Sequence, residues 1–182
     1  MFYLFMADGT EEVEAIATLD VMRRAGIEVK TAGVGSDVIC GSHGIKITCD
    51  MAACETVLED SLEGVVIPGG MPGTVNLEND KFVIDAVKYC ADNSKLLCAI
   101  CAAPSVFGHL GLLEGKKAVC FPGFEQELKG CEVAQSFVCT DGNIITAKGM
   151  GSAVDFGLEI VAAVCGRQKS DALRGTLQCP KA

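Results

Sequence analysis

The segment 95–108 constrains the fold more than any other part of the sequence, because an apolar run passes there directly into a helical one. Leu96–Ile100 is predicted to be a buried strand, and Pro104 fits the first turn of a helix, where its missing N–H needs no partner. Cys101 stands at the join, with alanines two positions to either side. A turn this sharp accepts only small neighbours, so the segment predicts a nucleophile elbow that carries cysteine instead of serine.

A thiol in this position is expected to lie above a sheet edge at the N-terminus of a helix, where the helix dipole favours thiolate over thiol. Cys101 is therefore predicted to be the only strongly activated thiol among the 11 cysteines of the chain. The alternative interpretation is a buried core cysteine followed by an ordinary β–α turn, since cysteine is one of the most buried residue types.

The other cysteines are expected to be small core hydrophobes, because the sequence shows no secretory signal that would favour disulfides. Cys98 and Cys101 form a Cys-x-x-Cys pair, but Cys98 lies within the apolar run, which disfavours a thioredoxin-like couple. His43 and His109 are the only histidines, and no second cysteine pair has zinc spacing. No metal site is therefore expected.

The composition is typical of one close-packed domain. The chain has 182 residues, of which 49% are hydrophobic, and a single domain over residues 1–182 is predicted. A formal net charge of −9 disfavours nucleic acid as a main partner. The run 1–7 is too short for a signal peptide, and no apolar run is long enough to span a membrane. The expected location is the cytoplasm.

Strand-like and helical segments alternate, which predicts a three-layer α/β sandwich with a mostly parallel sheet and helices on both faces. The expected strands are 2–6, 27–32, 37–40, 45–49, 65–67, 96–100, 117–121, 133–138 and 143–147. The first expected helix ends near residue 25, and the other helices are expected at 80–93, 104–110 and 153–164. A weaker helical turn is expected at 56–62 and a short polar helix after 122. Asp8 is expected to cap the first helix, with Glu11 as its capping-box partner.

The first helix carries an unusual distribution of residues. At helical spacing Glu12 falls beside Arg23 on a polar edge, whereas Glu14 falls on an apolar stripe, where a carboxylate is costly unless it is paired or protonated. Apolar residues also cover almost the whole circumference of this helix. Such a helix is buried on more than one side, so a homodimer built on it is predicted.

The turn 68–73 contains three glycines and follows a short buried strand. Glycine lets backbone N–H groups point into a cleft, although a simple tight turn explains the same residues. The turn lacks the ending of a phosphate loop and the spacing of a dinucleotide fingerprint. In parallel sheets ligands bind at the carboxyl ends of strands, where this turn and Cys101 are both predicted to lie.

These features together resemble the ThiJ/PfpI superfamily, in the branch of the protein deglycase linked to familial Parkinson's disease. The matching segments are 7–14, 20–26, 66–70, 99–104 and 149–152, in order over nearly the whole chain. The resemblance implies a flavodoxin-like fold, a homodimer, a reactive thiol at Cys101 and Glu14 as its carboxyl partner. It implies backbone donors for an oxyanion, for which Gly69, Gly70 and Ala102 are the candidates.

The resemblance also implies an activity without a cofactor. Members are described as glyoxalases that turn methylglyoxal into lactate, as deglycases of early glycation adducts, and as oxidative-stress sensors with chaperone-like activity. Phe121 precedes Pro122 where a member of the family carries a histidine, which removes a possible proton relay. Two classes stay open: a glyoxalase or deglycase acting on a small 2-oxoaldehyde or its adducts, and a non-catalytic redox sensor or chaperone-like protein that uses a Cys101 sulfinate.

Overall fold

The protein is described by a computed structural model over residues 1–179. The strands are β1 (Phe2–Met6), β2 (Val29–Gly33), β3 (Val38–Cys40), β4 (Lys46–Thr48), β5 (Met51–Ala52), β6 (Gly64–Ile67), β7 (Leu96–Ile100), β8 (Lys117–Ala118), β9 (Glu132–Val133), β10 (Val138–Asp141) and β11 (Ile144–Ala147). The helices are α1 (Glu12–Arg24), α2 (Gly73–Asn79), α3 (Lys81–Asp92), α4 (Pro104–His109), α5 (Ala153–Cys165) and α6 (Arg167–Thr176). Short 3₁₀ turns cover Ala53–Glu55, Glu125–Glu127 and Met150–Ser152.

A central sheet has the strand order β10-β11-β7-β6-β1-β2-β5. Every neighbouring pair is parallel except β10 and β11, which form an antiparallel hairpin at one edge. The predicted mostly parallel, flavodoxin-like α/β sandwich is therefore confirmed. Since the first residues after β1, β6 and β7 all leave the same edge of the sheet, the Gly9 turn, the glycine turn and Cys101 meet there.

The two faces of the sheet bury alternate residues of each strand, as the pleat requires. Tyr3 and Phe5 of β1 point to the layer that contains α3 and α4, whereas Phe2, Leu4 and Met6 point to the layer that contains α1 and α5. Helices pack on both faces of the sheet, so the central strands carry apolar residues on both sides. The site at the sheet edge therefore rests on a rigid, fully buried base.

Three predicted elements are corrected by the structure. The strand expected at 117–121 ends at Ala118, because the Val119 N–H bonds to the Thr146 hydroxyl and the Phe121 N–H to the Cys101 carbonyl. The strand expected at 133–138 is not continuous, because β9 ends at Val133 and β10 begins only at Val138 and pairs with β11 around Gly142. The helical turn expected at 56–62 is replaced by the earlier 3₁₀ turn Ala53–Glu55.

The predicted hairpin at 37–49 forms from β3 and β4, outside the central sheet. Helix α2, by contrast, follows the glycine turn and was not expected from the sequence. Among residues 1–179, no helix combines the length and the apolar character that crossing a membrane requires.

Candidate functional site

Cys101 lies in the turn between β7 and α4 with a positive φ of 66°. A residue with a Cβ adopts this left-handed conformation at some cost, so the surrounding structure must hold it there. The Cys101 N–H donates to the Ala147 carbonyl at 2.9 Å, and its own carbonyl accepts from the Phe121 N–H at 2.8 Å. Both backbone groups are thus anchored, and the thiol projects from a fixed position.

Two backbone N–H groups, from Gly70 and Ala102, donate to the Cys101 sulfur. The third candidate donor, Gly69, has a different role: its N–H donates to Glu14 Oε2 at 2.9 Å. A Cβ on Gly69 would lie only 2.5 Å from the Cys101 Cβ and 2.8 Å from Glu14 Oε2. Glycine is required at this position because no side chain fits between the thiol and the carboxyl.

Glu14 lies on α1 and is 1% exposed. Its carboxyl accepts from the N–H groups of Gly69 and Met150 and shares a hydrogen bond with the Cys101 thiol. Burial raises the pKa of Glu14 to about 7, although these hydrogen bonds act in the opposite direction. The carboxylate that the helical spacing placed on an apolar stripe is therefore a buried acid that titrates near neutral pH.

The pKa of the Cys101 thiol is raised to about 12, first by burial and then by the charge and hydrogen bond of Glu14. The sequence predicted a thiolate favoured by the helix dipole, whereas burial and the facing carboxyl of Glu14 favour the thiol. Two groups that interact this closely lose their protons as a pair. With a lower pKa at the carboxyl than at the thiol, the pair loses its first proton from Glu14 and retains the second on the sulfur.

The start of α1 sets the position of Glu14. Glu11, and not Asp8, is the N-cap residue, since Glu11 Oε2 accepts from the Glu14 N–H at 2.7 Å. Asp8 instead accepts from the Cys40 N–H at 2.7 Å. The Gly9 turn separates Asp8 from the helix, so the predicted capping box does not form.

Glu12 is 4% exposed and does not lie on the expected polar edge. Its carboxylate accepts from the His43 N–H at 2.7 Å, from His43 Nδ1 at 3.0 Å and from the Ser42 hydroxyl at 3.2 Å. Burial would raise the pKa of Glu12, but the hydrogen bonds from His43, in side chain and backbone, outweigh it and lower the pKa to about 2. Glu12 thus fastens the β3–β4 hairpin to α1.

Within residues 1–179, one group of side chains has the spacing of metal ligands, namely Glu11, Glu12 and His43, whose ligand atoms lie within 4.8 Å of one another. Glu11 caps α1 and Glu12 is already bonded to the hairpin. These contacts give both carboxylates a structural role.

The two histidines lie away from Cys101. His109 bonds to Glu78 through Nδ1 and to Glu127 through Nε2, and His43 is held by Glu12. Phe121 instead flanks the site, with its ring against Gly149. An apolar aromatic side chain thus borders the site at the sequence position where a member of the family carries a histidine.

The fold and the site define a class of protein with a flavodoxin-like sheet, a cysteine in the turn after a central strand, and a buried carboxyl that shares a hydrogen bond with the cysteine sulfur. The chain belongs to the DJ-1/PfpI family, which matches residues 2–163. Protein dj-1beta of Drosophila melanogaster is 34% identical and is matched over 91% of this chain and 90% of its own. The zebrafish (Danio rerio) Parkinson disease protein 7 homolog is 30% identical over 96% of this chain and 94% of its own.

Solved structures agree with this assignment. Oxidized DJ-1 of Toxoplasma gondii has a TM-score of 0.94 at 28% identity, and the match covers 99% of this chain and 98% of that one.

Some relatives are much longer than this chain. Protein DJ-1 homolog B of Arabidopsis thaliana is 38% identical over 94% of this chain, but the chain spans only 40% of that relative, and it spans 45% of homolog A. This chain therefore corresponds to less than half of those longer plant proteins.

Proposed function

We propose that this protein is a cysteine-dependent glyoxalase that converts methylglyoxal or a related 2-oxoaldehyde into a 2-hydroxy acid, with early glycation adducts as further substrates. The observation that carries the proposal is the hydrogen bond between the Cys101 thiol and a buried carboxyl with a pKa of about 7. A group that titrates near the working pH both accepts and returns a proton readily, as a general acid–base must.

In the first step the sulfur of Cys101 attacks the aldehyde carbon, and a C–S bond forms as the carbonyl electron pair moves to oxygen. The thiol proton passes through Glu14 to that oxygen, which gives a neutral hemithioacetal. We expect the N–H groups of Gly70 and Ala102, which face the sulfur, to stabilise the developing oxyanion.

In the second step the Glu14 carboxylate removes the proton from the former aldehyde carbon, which gives an enediol as the ketone oxygen takes up a proton. Glu14 then delivers its proton to the adjacent carbon while the hydroxyl on the sulfur-bearing carbon loses its proton to become the carbonyl. The hemithioacetal thereby becomes a thioester of the 2-hydroxy acid, with no net oxidation. Water then hydrolyses the thioester, which breaks the C–S bond, releases the acid and restores the thiol. This sequence needs no redox cofactor and no metal.

The direct test is lactate production from methylglyoxal by the purified protein and by Cys101→Ser. A matched control is Cys139→Ser, since both cysteines are of intermediate exposure. We expect Cys101→Ser to lose turnover and Cys139→Ser to keep it. Absence of lactate with the wild type, or equal turnover by Cys101→Ser, would contradict the proposal.

A second candidate function is a redox sensor in which Cys101 is oxidised to sulfinate. The apolar Phe121 beside the site favours it, because no histidine relays protons there. Two peroxide molecules each transfer one oxygen atom to the sulfur and leave as water. Glu14 in its protonated form would donate a hydrogen bond to the sulfinate.

Mass spectrometry of Cys101 after mild peroxide separates the two functions when it is run beside the lactate assay. We expect Glu14→Gln, which keeps a donor, to form a stable sulfinate, and Glu14→Leu to impair it. Sulfinate without lactate would favour the sensor. Lactate from a protein whose Cys101 resists peroxide would favour the enzyme alone.

We further propose that a second copy of the chain covers α1 and the β3–β4 hairpin. Val13, Ile16 and Ile45 form an apolar surface there and are 45%, 41% and 57% exposed. Light scattering of the wild type at micromolar concentration should give a dimer, and Ile16→Lys should weaken it. Phe82→Lys, at an exposed apolar position on α3, is the control; a monomeric wild type would contradict the proposal.

A further inference from the structure

We propose that an apolar pocket beside Cys101 holds the side chain of the substrate, so that the site prefers 2-oxoaldehydes with an aromatic or extended apolar group over methylglyoxal. This inference rests on the proposed function and specifies its substrate class. The pocket has a volume of about 410 Å³ and is lined by Phe121, Phe137 and Met150 together with the loop 148–152 and Pro122. A largely apolar cavity of this size is typical of small-molecule sites.

The walls of the pocket are attached to the two candidate catalytic groups through the backbone. The Phe121 N–H donates to the Cys101 carbonyl at 2.8 Å, and the Met150 N–H donates to the Glu14 carboxyl. The backbones of both residues that carry these apolar side chains are therefore held against the two candidate catalytic groups. The same segments that position the chemistry also form the pocket.

Gly149 connects the pocket to the carboxyl. A Cβ on this residue would lie 3.2 Å from Cδ2 of Phe121 and 3.8 Å from Glu14 Oε1. The aromatic ring and the carboxyl thus border one backbone position that carries no side chain. The passage from the reacting carbons to the ring is short, and a group attached to the ketone carbon can reach the ring directly.

The exposed apolar surface here is larger than methylglyoxal would cover. Phe121, Phe137 and Met150 are 47%, 71% and 54% exposed. Methylglyoxal carries one methyl group beyond its two carbonyls, whereas a phenyl or longer alkyl group would cover more of this apolar surface. Aromatic pairs in offset or edge-to-face geometry add to that burial.

The cation at the rim does not make the pocket polar. Lys148 Nζ lies 5.2 Å from the centre of the Phe137 ring and donates to the Gln135 carbonyl at 3.2 Å. Its charge is therefore paired with a backbone carbonyl and with the face of the Phe137 ring. Recognition in the pocket therefore depends on apolar contact, and Phe121 and Met150 are the residues that determine specificity.

The first experiment measures the pocket without turnover. Cys101 displaces iodide from iodoacetamide or from N-benzyliodoacetamide, and peptide mass spectrometry gives the ratio of the two alkylation rates. The exposed Cys54 of the same chain supplies the reference ratio. We expect the benzyl probe to be favoured at Cys101 by about tenfold over that reference.

Phe121→Asn and Met150→Gln should each reduce this preference at Cys101 and leave the Cys54 ratio unchanged. Phe82→Asn, which replaces an exposed aromatic residue outside the pocket, should keep the wild-type preference. Because all three positions are exposed, the variants are expected to fold, and circular dichroism checks this. Equal ratios at Cys101 and Cys54 in the wild type, or no effect of Phe121→Asn, would overturn the inference.

The second experiment compares kcat/KM for phenylglyoxal and methylglyoxal. We expect phenylglyoxal to be favoured by about tenfold and Phe121→Asn to remove most of that preference. Turnover of both aldehydes with a ratio unchanged in Phe121→Asn overturns the inference and leaves the proposed function intact. No turnover of either aldehyde overturns the proposed function and the substrate assignment, while the alkylation ratio still decides whether the pocket accepts an aromatic group.

Discussion

Glu12 and Glu14 are two positions apart on α1, and both are almost completely buried, yet their pKa values move in opposite directions. Glu12 is 4% exposed and has a pKa of about 2, whereas Glu14 is 1% exposed and has a pKa of about 7. Burial raises the pKa of both groups. What differs is the set of donors that each carboxyl meets on its side of the helix.

Glu12 meets the loop of the β3–β4 hairpin, which supplies the His43 imidazole, the Ser42 hydroxyl and the backbone N–H groups of His43 and Ile45. Glu14 meets two backbone N–H groups, a thiol and the nearby charge of Glu11, which raises its pKa further. The ionised form is therefore stabilised at Glu12 and not at Glu14. Donor number and partner charge decide the sign of the shift.

The largest effect expected from this comparison is on turnover. Glu14→Gln keeps the hydrogen-bond shape but cannot exchange a proton, so methylglyoxal turnover should fall by about 100-fold or more. Glu12→Gln removes a carboxylate of the same helix turn and should leave turnover close to that of the wild type. Lactate assays on both folded variants check this, and wild-type turnover by Glu14→Gln would refute the proton-shuttle role.

The next effect is on stability. Glu12→Gln turns one buried acceptor into a donor that faces other donors, which should lower the free energy of unfolding by about 1 to 3 kcal/mol. Glu14→Gln replaces an acid that is largely protonated below pH 7 and should cost less. Denaturant unfolding of the two variants gives the values, and a larger loss for Glu14→Gln would reverse the comparison.

The smallest effect is on the pH dependence of stability. The folded-state pKa of Glu14 lies above its ordinary value of 4.5, so its contribution to stability declines as the pH rises from about 4.5 to about 7. The pKa of Glu12 lies below that value, so its contribution is lost as the pH falls from about 4.5 to about 2. Glu14→Gln should reduce the change of stability with pH in the first range, and Glu12→Gln should reduce it in the second.

The contribution of His43 to the pH dependence of stability must be separated from that of Glu14. Glu12 raises the pKa of His43, so the stabilisation by His43 is present at low pH and is lost as the pH rises through that raised value. Comparing the single variant His43→Asn with the double variant that carries both His43→Asn and Glu14→Gln isolates the contribution of Glu14 to the pH dependence of stability. An unchanged slope between about pH 5 and 7 in that pair would contradict a Glu14 pKa near neutrality.

The alternation of strand-like and helical segments was sufficient to predict the mostly parallel sheet, because the central strands and the long helices follow from local spacing. The same holds for Cys101, since small residues and Pro104 mark the sharp turn, and for Glu14, whose position on an apolar stripe follows from helical periodicity. Helix α2 and the shift of β10 were not predictable in this way. Their bounds depend on contacts with distant strands and turns.

Only the tertiary structure decided what the two carboxylates do. The donors to Glu12 come from residues 42–45, and those to Glu14 come from Gly69 and Met150, all far away along the chain. The pKa of Cys101 is likewise raised by burial in the fold and then by Glu14, which the fold brings from a separate segment. Local spacing fixes which side of a helix a residue faces, but a pKa depends on every donor and charge within a few ångströms, and the fold brings those from separate segments.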